Sequence, residues 1–168
     1  MPRRRLSVEA YRDAILSVTG RLNSRIGGNS MQPEKPDERR RTLYSQISRM
    51  NLNSMLARFD FPDPNAHSAL RFETTTPLQK LFLLNSDFMV FQANALATRL
   101  RLHGGSNHSK IEHAYKLLFA REPNDAEVSL AEKFLEQGST SGDIQKHSDA
   151  WPQYAQALLI SNEMFMVD

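Results

Sequence analysis

Apolar side chains recur along most of this chain every three to four positions, the spacing of helices that bury one face. Tyr11, Ala14, Ile15, Val18 and Leu22 form the first such stripe. Ser7 is placed as its N-cap, with Leu6 and Tyr11 as the two halves of a hydrophobic staple. This predicts a helix over 6–22, ended directly or after a short extension by Gly27-Gly28. From Asn29 to Arg41 the pattern lapses into NSMQPEKPDERRR, where Met31 is the sole apolar side chain. Such a segment is expected to form an exposed, mobile loop. Leu43, Ile47 and Met50 fit a helix, although TLYSQIS also suits an extended chain. Ser54–Phe59 fits a single helical turn.

The second half is punctuated more sharply. Thr76-Pro77-Leu78-Gln79 is a capping box with proline at the first helical position, and its helix carries Leu78, Leu81, Phe82 and Leu84. Asn85-Ser86-Asp87 restarts a helix that runs to His103 with Phe88, Phe91, Ala95 and Leu100 inward, stopped by Gly104-Gly105. Ser109 and Glu112 offer another capping box ahead of Ile111, Ala114, Tyr115, Leu118 and Phe119. Asn124 and Glu127 offer a third, ahead of Val128, Ala131, Phe134 and Leu135. Gly138–Asp149 is expected as a polar loop. Asp149 then opens a last helix with Trp151, Tyr154, Leu158 and Phe165. The expected fold is all-α, a compact irregular bundle of about six helices with one long polar loop at 29–41. The 168 residues are enough for one helical domain spanning 1–168.

Composition narrows the possible chemistry. Apolar residues make up 40% of the chain and charged ones 24%, as in ordinary globular proteins. No run approaches the roughly 18 apolar residues of a membrane span. MPRRRLSVEAYRD has the basic start of a signal peptide with no apolar stretch behind it. The absence of cysteine removes disulfides, thiolate metal sites, a cysteine nucleophile and covalent haem attachment.

Charge is uneven. Residues 1–71 hold 13 Lys and Arg against 7 Asp and Glu, whereas residues 72–168 hold 8 against 12. A basic half can bind nucleic acid or an anionic surface. It can also dock on the acidic half of its own chain.

The most distinctive local motif is FDFPDPN, 59–65. If it adopts polyproline II geometry, Asp60 and Asp63 point the same way at roughly 9 Å, a separation suited to an inverting glycosidase pair. Alternatively, Asp63-Pro64-Asn65 matches a β-turn, with both carboxylates available to arginines such as Arg39, Arg40, Arg41, Arg49, Arg58 and Arg71. A cation or ligand site is a third possibility. His103, His108 and His113 lie five residues apart, about 140° around a helix, so no zinc motif is read. GGNS and GGSNHS lack a Walker lysine, and no nucleophile elbow is present. No metal or other cofactor is therefore expected.

RRRLSVEAYRDAILSVTGRLN, RRTLYSQISRMNLNSMLARFDFPDPN, TTTPLQKLFLLNSDFMVFQANALATRL, AYKLLFAREPNDAEV and WPQYAQALLISNEMFMVD occur in that order. This series resembles the C-terminal domain of unknown function of large, mainly planctomycete, exported proteins, which often also carry a planctomycete-type cytochrome c domain. The resemblance implies a helical fold, the C-terminal part of a larger family domain, and no known catalytic residues. Export is implied for the family, to the periplasm or cell envelope. The family's characteristic block makes Asp60, Asp63, Asn65, Arg71, Thr74, Thr75, Gln79 and Asn85 the candidate functional surface. The expected role is a non-catalytic interaction or scaffold module of an envelope-associated multidomain protein. Its expected partners are other domains of the parent protein, or envelope protein or polysaccharide. The alternatives are acid–base hydrolysis of polysaccharide by Asp60 and Asp63 and, more weakly, nucleic-acid binding through the basic half.

Overall fold

The computed structural model describes residues 4–140 and 149–167. Within them are α1 (Val8–Val18), α2 (Ser54–Arg58), α3 (Pro77–Asn85), α4 (Asp87–Leu102), α5 (Asn107–Phe119), α6 (Asp125–Thr140), α7 (Ala150–Leu159) and α8 (Asn162–Phe165). A single 3-10 turn spans Thr42–Tyr44, and the two-residue strands β1 (Arg4–Arg5) and β2 (Met166–Val167) pair antiparallel. The fold is all-α, as the periodicity predicts. Among the described residues no helix is long and apolar enough to cross a membrane.

The centre is α4, which packs most extensively on α7. Ala93 and Ala97 on α4 and Ala155 on α7 are buried, and small side chains of this kind let two helices approach closely. The expected inward face of α4 is only partly correct. Phe88 and Leu100 are buried, but Phe91 and Ala95 are not, and the face turns instead through Met89, Gln92, Ala93, Leu96 and Ala97. Gln92 can occupy an interior position because its amide is satisfied. Its Oε1 accepts from the Thr19 hydroxyl at 3.1 Å, and its Nε2 donates to the Pro36 carbonyl at 3.1 Å.

Other boundaries differ for local reasons. Ser7 caps α1 as expected, but the helix stops at Val18 rather than Leu22. Gly20 takes φ +72°, and the Arg99 guanidinium donates to the Ser17 and Val18 carbonyls, satisfying the helix end. Of the Leu43, Ile47 and Met50 stripe only Leu43 falls in the 3-10 turn, no α-helix forms, and all three side chains are exposed. On α5 the N-cap is Ser106, one turn before the expected Ser109. The Asn124–Glu127 box forms in both directions. The polar loop expected from Gly138 begins inside α6, and 141–148 lie outside the described residues. Asp149 caps α7 as expected, but the helix ends at Leu159 and Ser161 caps the separate α8.

Two long-range closures position the candidate site. Leu6 donates its backbone N–H to the Phe165 carbonyl, and the Tyr11 hydroxyl donates to the Leu159 carbonyl at 2.7 Å. Phe165 lies edge-on to both Tyr11 and Phe59. The C-terminal helices are thereby sealed to β1, α1 and the start of FDFPDPN.

Arg12 is the second closure, and its burial was not foreseen. It is fully buried on α1 and donates to the carbonyls of Pro33, Glu38 and Arg40 and to the Thr42 hydroxyl, with its guanidinium over Phe88. The 29–41 segment, nearly devoid of apolar side chains, is thus tied to the core through its own backbone carbonyls. Burial pushes the Arg12 pKa down to about 10, against the opposing charges of Asp13 and Glu38.

Candidate functional site

The five-residue α2 ends at Arg58, and the chain must reverse immediately. Phe61 donates its N–H back to the Leu56 carbonyl at 3.1 Å, which places Asp60 at the left-handed position where a helix terminus usually has glycine. Asp60 takes φ +61°. The run is therefore not uniform polyproline II, and the parallel display of Asp60 and Asp63 expected from that geometry is replaced by a helix stop. Aspartate tolerates this conformation better than most residues, because its short polar side chain can bond locally.

The carboxylate of Asp60 is densely occupied. It accepts from Arg5 Nη2 at 2.7 Å, the Thr74 N–H at 2.9 Å, the Thr74 hydroxyl at 2.8 Å and Gln79 Nε2 at 3.3 Å. Burial by itself would raise its pKa. The Thr74 N–H, the Arg5 guanidinium and the Thr74 hydroxyl outweigh that and hold the carboxyl below the usual carboxylate range.

Gln79 links this centre to α3. Its Oε1 accepts from the Thr76 N–H, completing the capping box, and from Arg5 Nη1 at 3.2 Å. Its Nε2 donates to the Arg58 carbonyl at 2.8 Å. One buried amide therefore caps α3, receives β1 and satisfies the end of α2. Arg71 adds a fourth strand of contact. Its Nε donates to the Asp60 carbonyl at 3.0 Å, its Nη1 to both oxygens of Glu9, and its guanidinium lies over Phe61.

The remaining candidates are placed differently. Asp63 forms the expected β-turn: Ala66 donates to its carbonyl, and the Asn65 N–H donates to its Oδ1 at 2.8 Å. Asn65 Nδ2 holds the turn against the Arg49 carbonyl. Thr75 is exposed, and Asn85 lies exposed at the end of α3, donating to the Leu81 carbonyl. Asp60, Arg71, Thr74 and Gln79 are thus one cluster, while Asp63 with Asn65, Thr75 and Asn85 lie outside it. Asp60 and Asp63 both line a cleft of about 340 Å³, together with Phe61, His67, Arg71 and Phe72. Within it the Asp60 oxygens are already engaged.

Arg5 is the partner that sequence reasoning missed. It stands 55 positions from Asp60 and reaches it because β1 pairs with β2 over the bundle. No local pattern singles it out among the arginines. Other basic residues of the first half are also engaged within the fold, by aromatic rings and backbone carbonyls rather than by carboxylates of the acidic half. Arg40 lies over Tyr44 and donates to the Gly27 and Asn29 carbonyls, Arg21 lies over Phe91, and Arg58 lies over Phe82.

With its inner face fixed by Gln79 and Leu83, α3 turns a line of leucines outward. Leu78, Leu81 and Leu84 are 66%, 55% and 50% exposed, and Phe72 beside the cleft is 77% exposed.

Two histidines that the linear spacing kept apart are brought together by helix packing. His103, beyond the end of α4, stacks on His113 of α5 with ring centres 3.8 Å apart.

Residues 1–135 match the model of a family described as PSD1, protein of unknown function (DUF1553). No curated protein and no solved structure matches the chain.

Proposed function

The chain belongs to the PSD1 family of proteins of unknown function, and from its geometry we propose that it is a non-catalytic helical interaction module of a larger, envelope-associated protein. The observation that carries this is the line Leu78, Leu81 and Leu84 on a helix whose other face is locked to β1 and α2. Three half-exposed leucines on one short helix cost solubility unless another surface covers them. A rigid presentation lowers the entropy lost when it does. We take the covering surface to be protein, another domain of the parent molecule or an envelope protein, because the stripe offers no polar group for a glycan.

Acid–base hydrolysis by Asp60 and Asp63 is the less favoured alternative. A general acid at neutral pH needs a raised pKa and a free proton position. Asp60 instead has a lowered pKa and four donors on its carboxylate.

A photo-reactive residue introduced at position 81 tests the proposal in producing cells. It should give a discrete protein adduct that the same residue at exposed position 130 does not. The adduct should disappear in Leu84→Glu, a variant that keeps the wild-type unfolding midpoint. Equal labelling from both positions, or an adduct unaffected by Leu84→Glu, would refute it.

A further inference from the structure

A second concavity, remote in sequence from the leucine stripe, has the opposite character. It encloses about 400 Å³ and is lined by Gln32, Glu34, Gln46, Ser48, Asn51 and Asn53, with Leu52 as its apolar member. The volume falls within the range of about 300–1,000 Å³ typical of small-molecule sites. Its walls are set by backbone. Met31 donates to the Tyr44 carbonyl at 2.9 Å and Gln46 donates to the Met31 carbonyl at 2.7 Å, so Gln32 and Gln46 emerge side by side. Ser48 Oγ accepts the N–H groups of Met50 and Asn51, which fixes the turn carrying Asn51. Asn53 Oδ1 caps α2. Glu34 Oε2 accepts from Ser54 Oγ at 2.6 Å, leaving its Oε1 as an acceptor.

The side-chain amides of Gln32, Gln46 and Asn51 make no hydrogen bond among the described residues, and neither does the NH2 group of Asn53. Four side chains with unused donor capacity, three of them complete amides, therefore converge on one preformed hollow beside a single carboxylate. No Lys or Arg lines it, which disfavours phosphate, nucleic acid and acidic ligands. One apolar side chain is too little for a greasy ligand. Paired donors and acceptors match hydroxyl groups, each of which both donates and accepts. Leu52 supplies apolar contact for the C–H face of a ring.

We propose that this hollow is a binding site for a neutral saccharide, with Gln32, Gln46 and Asn51 bonding its hydroxyls and Glu34 accepting from one of them. The site is independent of α3, so it can stand or fall separately from the protein contact proposed above.

The test uses the full chain, labelled with nitrogen-15. Maltohexaose, cellohexaose and mannohexaose are added separately up to about 10 mM, enough to load a site of millimolar affinity. Hexagalacturonate and hexa-alanine are the charged and peptide comparisons. At least one neutral hexasaccharide should shift the side-chain amide signals of Gln32, Gln46 and Asn51. Gln46→Ala and Asn51→Ala, both at exposed positions, should each weaken that binding by about tenfold while leaving the rest of the spectrum unchanged. The proposal fails if no neutral sugar moves these signals. It also fails if only hexagalacturonate or hexa-alanine does, or if both variants bind as the wild type does.

Discussion

Replacing Asp60 separates the roles of its charge and its backbone conformation. Asparagine keeps the shape and tolerates φ +61°, but it removes the anion facing Arg5. The pair is well enclosed, with side chains 5% and 19% exposed. A hydrogen bond to a charged group contributes about 1.5–3 kcal/mol, and stranding one member of a buried pair costs about 3–5 kcal/mol. Asp60 retains some contact with solvent, so the lower end applies, and Asp60→Asn should lose about 2–3 kcal/mol. That is a large share of the roughly 5–15 kcal/mol that holds a domain folded. Asp60→Ala should lose about 1 kcal/mol more, because alanine pays for a left-handed backbone that asparagine accepts. Asp60→Gly, free of that strain but lacking all four acceptor contacts, should fall between them.

Urea unfolding followed by circular dichroism reads these differences, and an unchanged m-value would keep them attributable to the native state. The pH dependence supplies an independent check. The folded carboxyl has a lowered pKa, so its stabilisation is complete above the unfolded value of about 3.9 and disappears as pH falls through the lower folded value. The gap between wild type and Asp60→Asn should therefore be widest at neutral pH and close in acid. A gap under about 0.5 kcal/mol at neutral pH, or one that persists unchanged in acid, would falsify the structural role of this carboxylate. A folded Asp60→Asn of full stability would return the residue to the candidates for chemistry.

Arg12→Met should lose about 3–5 kcal/mol, since three carbonyls of the 33–40 stretch lose their donor and methionine restores only packing. Limited proteolysis should then cut within 29–41 faster than in the wild type, and an unchanged cleavage rate would contradict the anchoring role. His113 should titrate below the usual histidine range, chiefly through burial and then through the nearby His103 and Arg99. A base with a lowered folded pKa takes up its proton first in the unfolded chain. Its part of the stability is therefore intact above about pH 6.5 and is lost as pH falls through the folded value. A carbon-13 NMR titration of His113 should show this, and His103→Gln should move its midpoint upward. A midpoint at or above the ordinary value would contradict it.

How much was legible in the sequence depends on the reach of each interaction. The Thr76–Gln79 and Asn124–Glu127 boxes and the Asp63-Pro64-Asn65 turn all close within four residues, and all form as the residues require. Their geometry is set by one turn of backbone, so local identity suffices. The face of α4 was only half legible. Apolar spacing allows neighbouring faces that differ by a small rotation, and the choice depended on Thr19 and Pro36, which satisfy Gln92 from other parts of the chain.

Residue pattern and composition suffice for an all-α protein, the starts of several of its helices, the turn that follows FDFP, and a chain without cysteine chemistry. The surroundings of Asp60 come from packing between distant segments. Its left-handed backbone follows from a helix stop. Its partners Arg5, Thr74 and Gln79 come from 14 to 55 positions away. The burial of Arg12 against loop carbonyls, the stacking of His103 on His113 and the convergence of Gln32, Gln46 and Asn51 are of the same kind. Each depends on which segments the packed core brings within hydrogen-bond reach, and side-chain identity alone does not encode that distance.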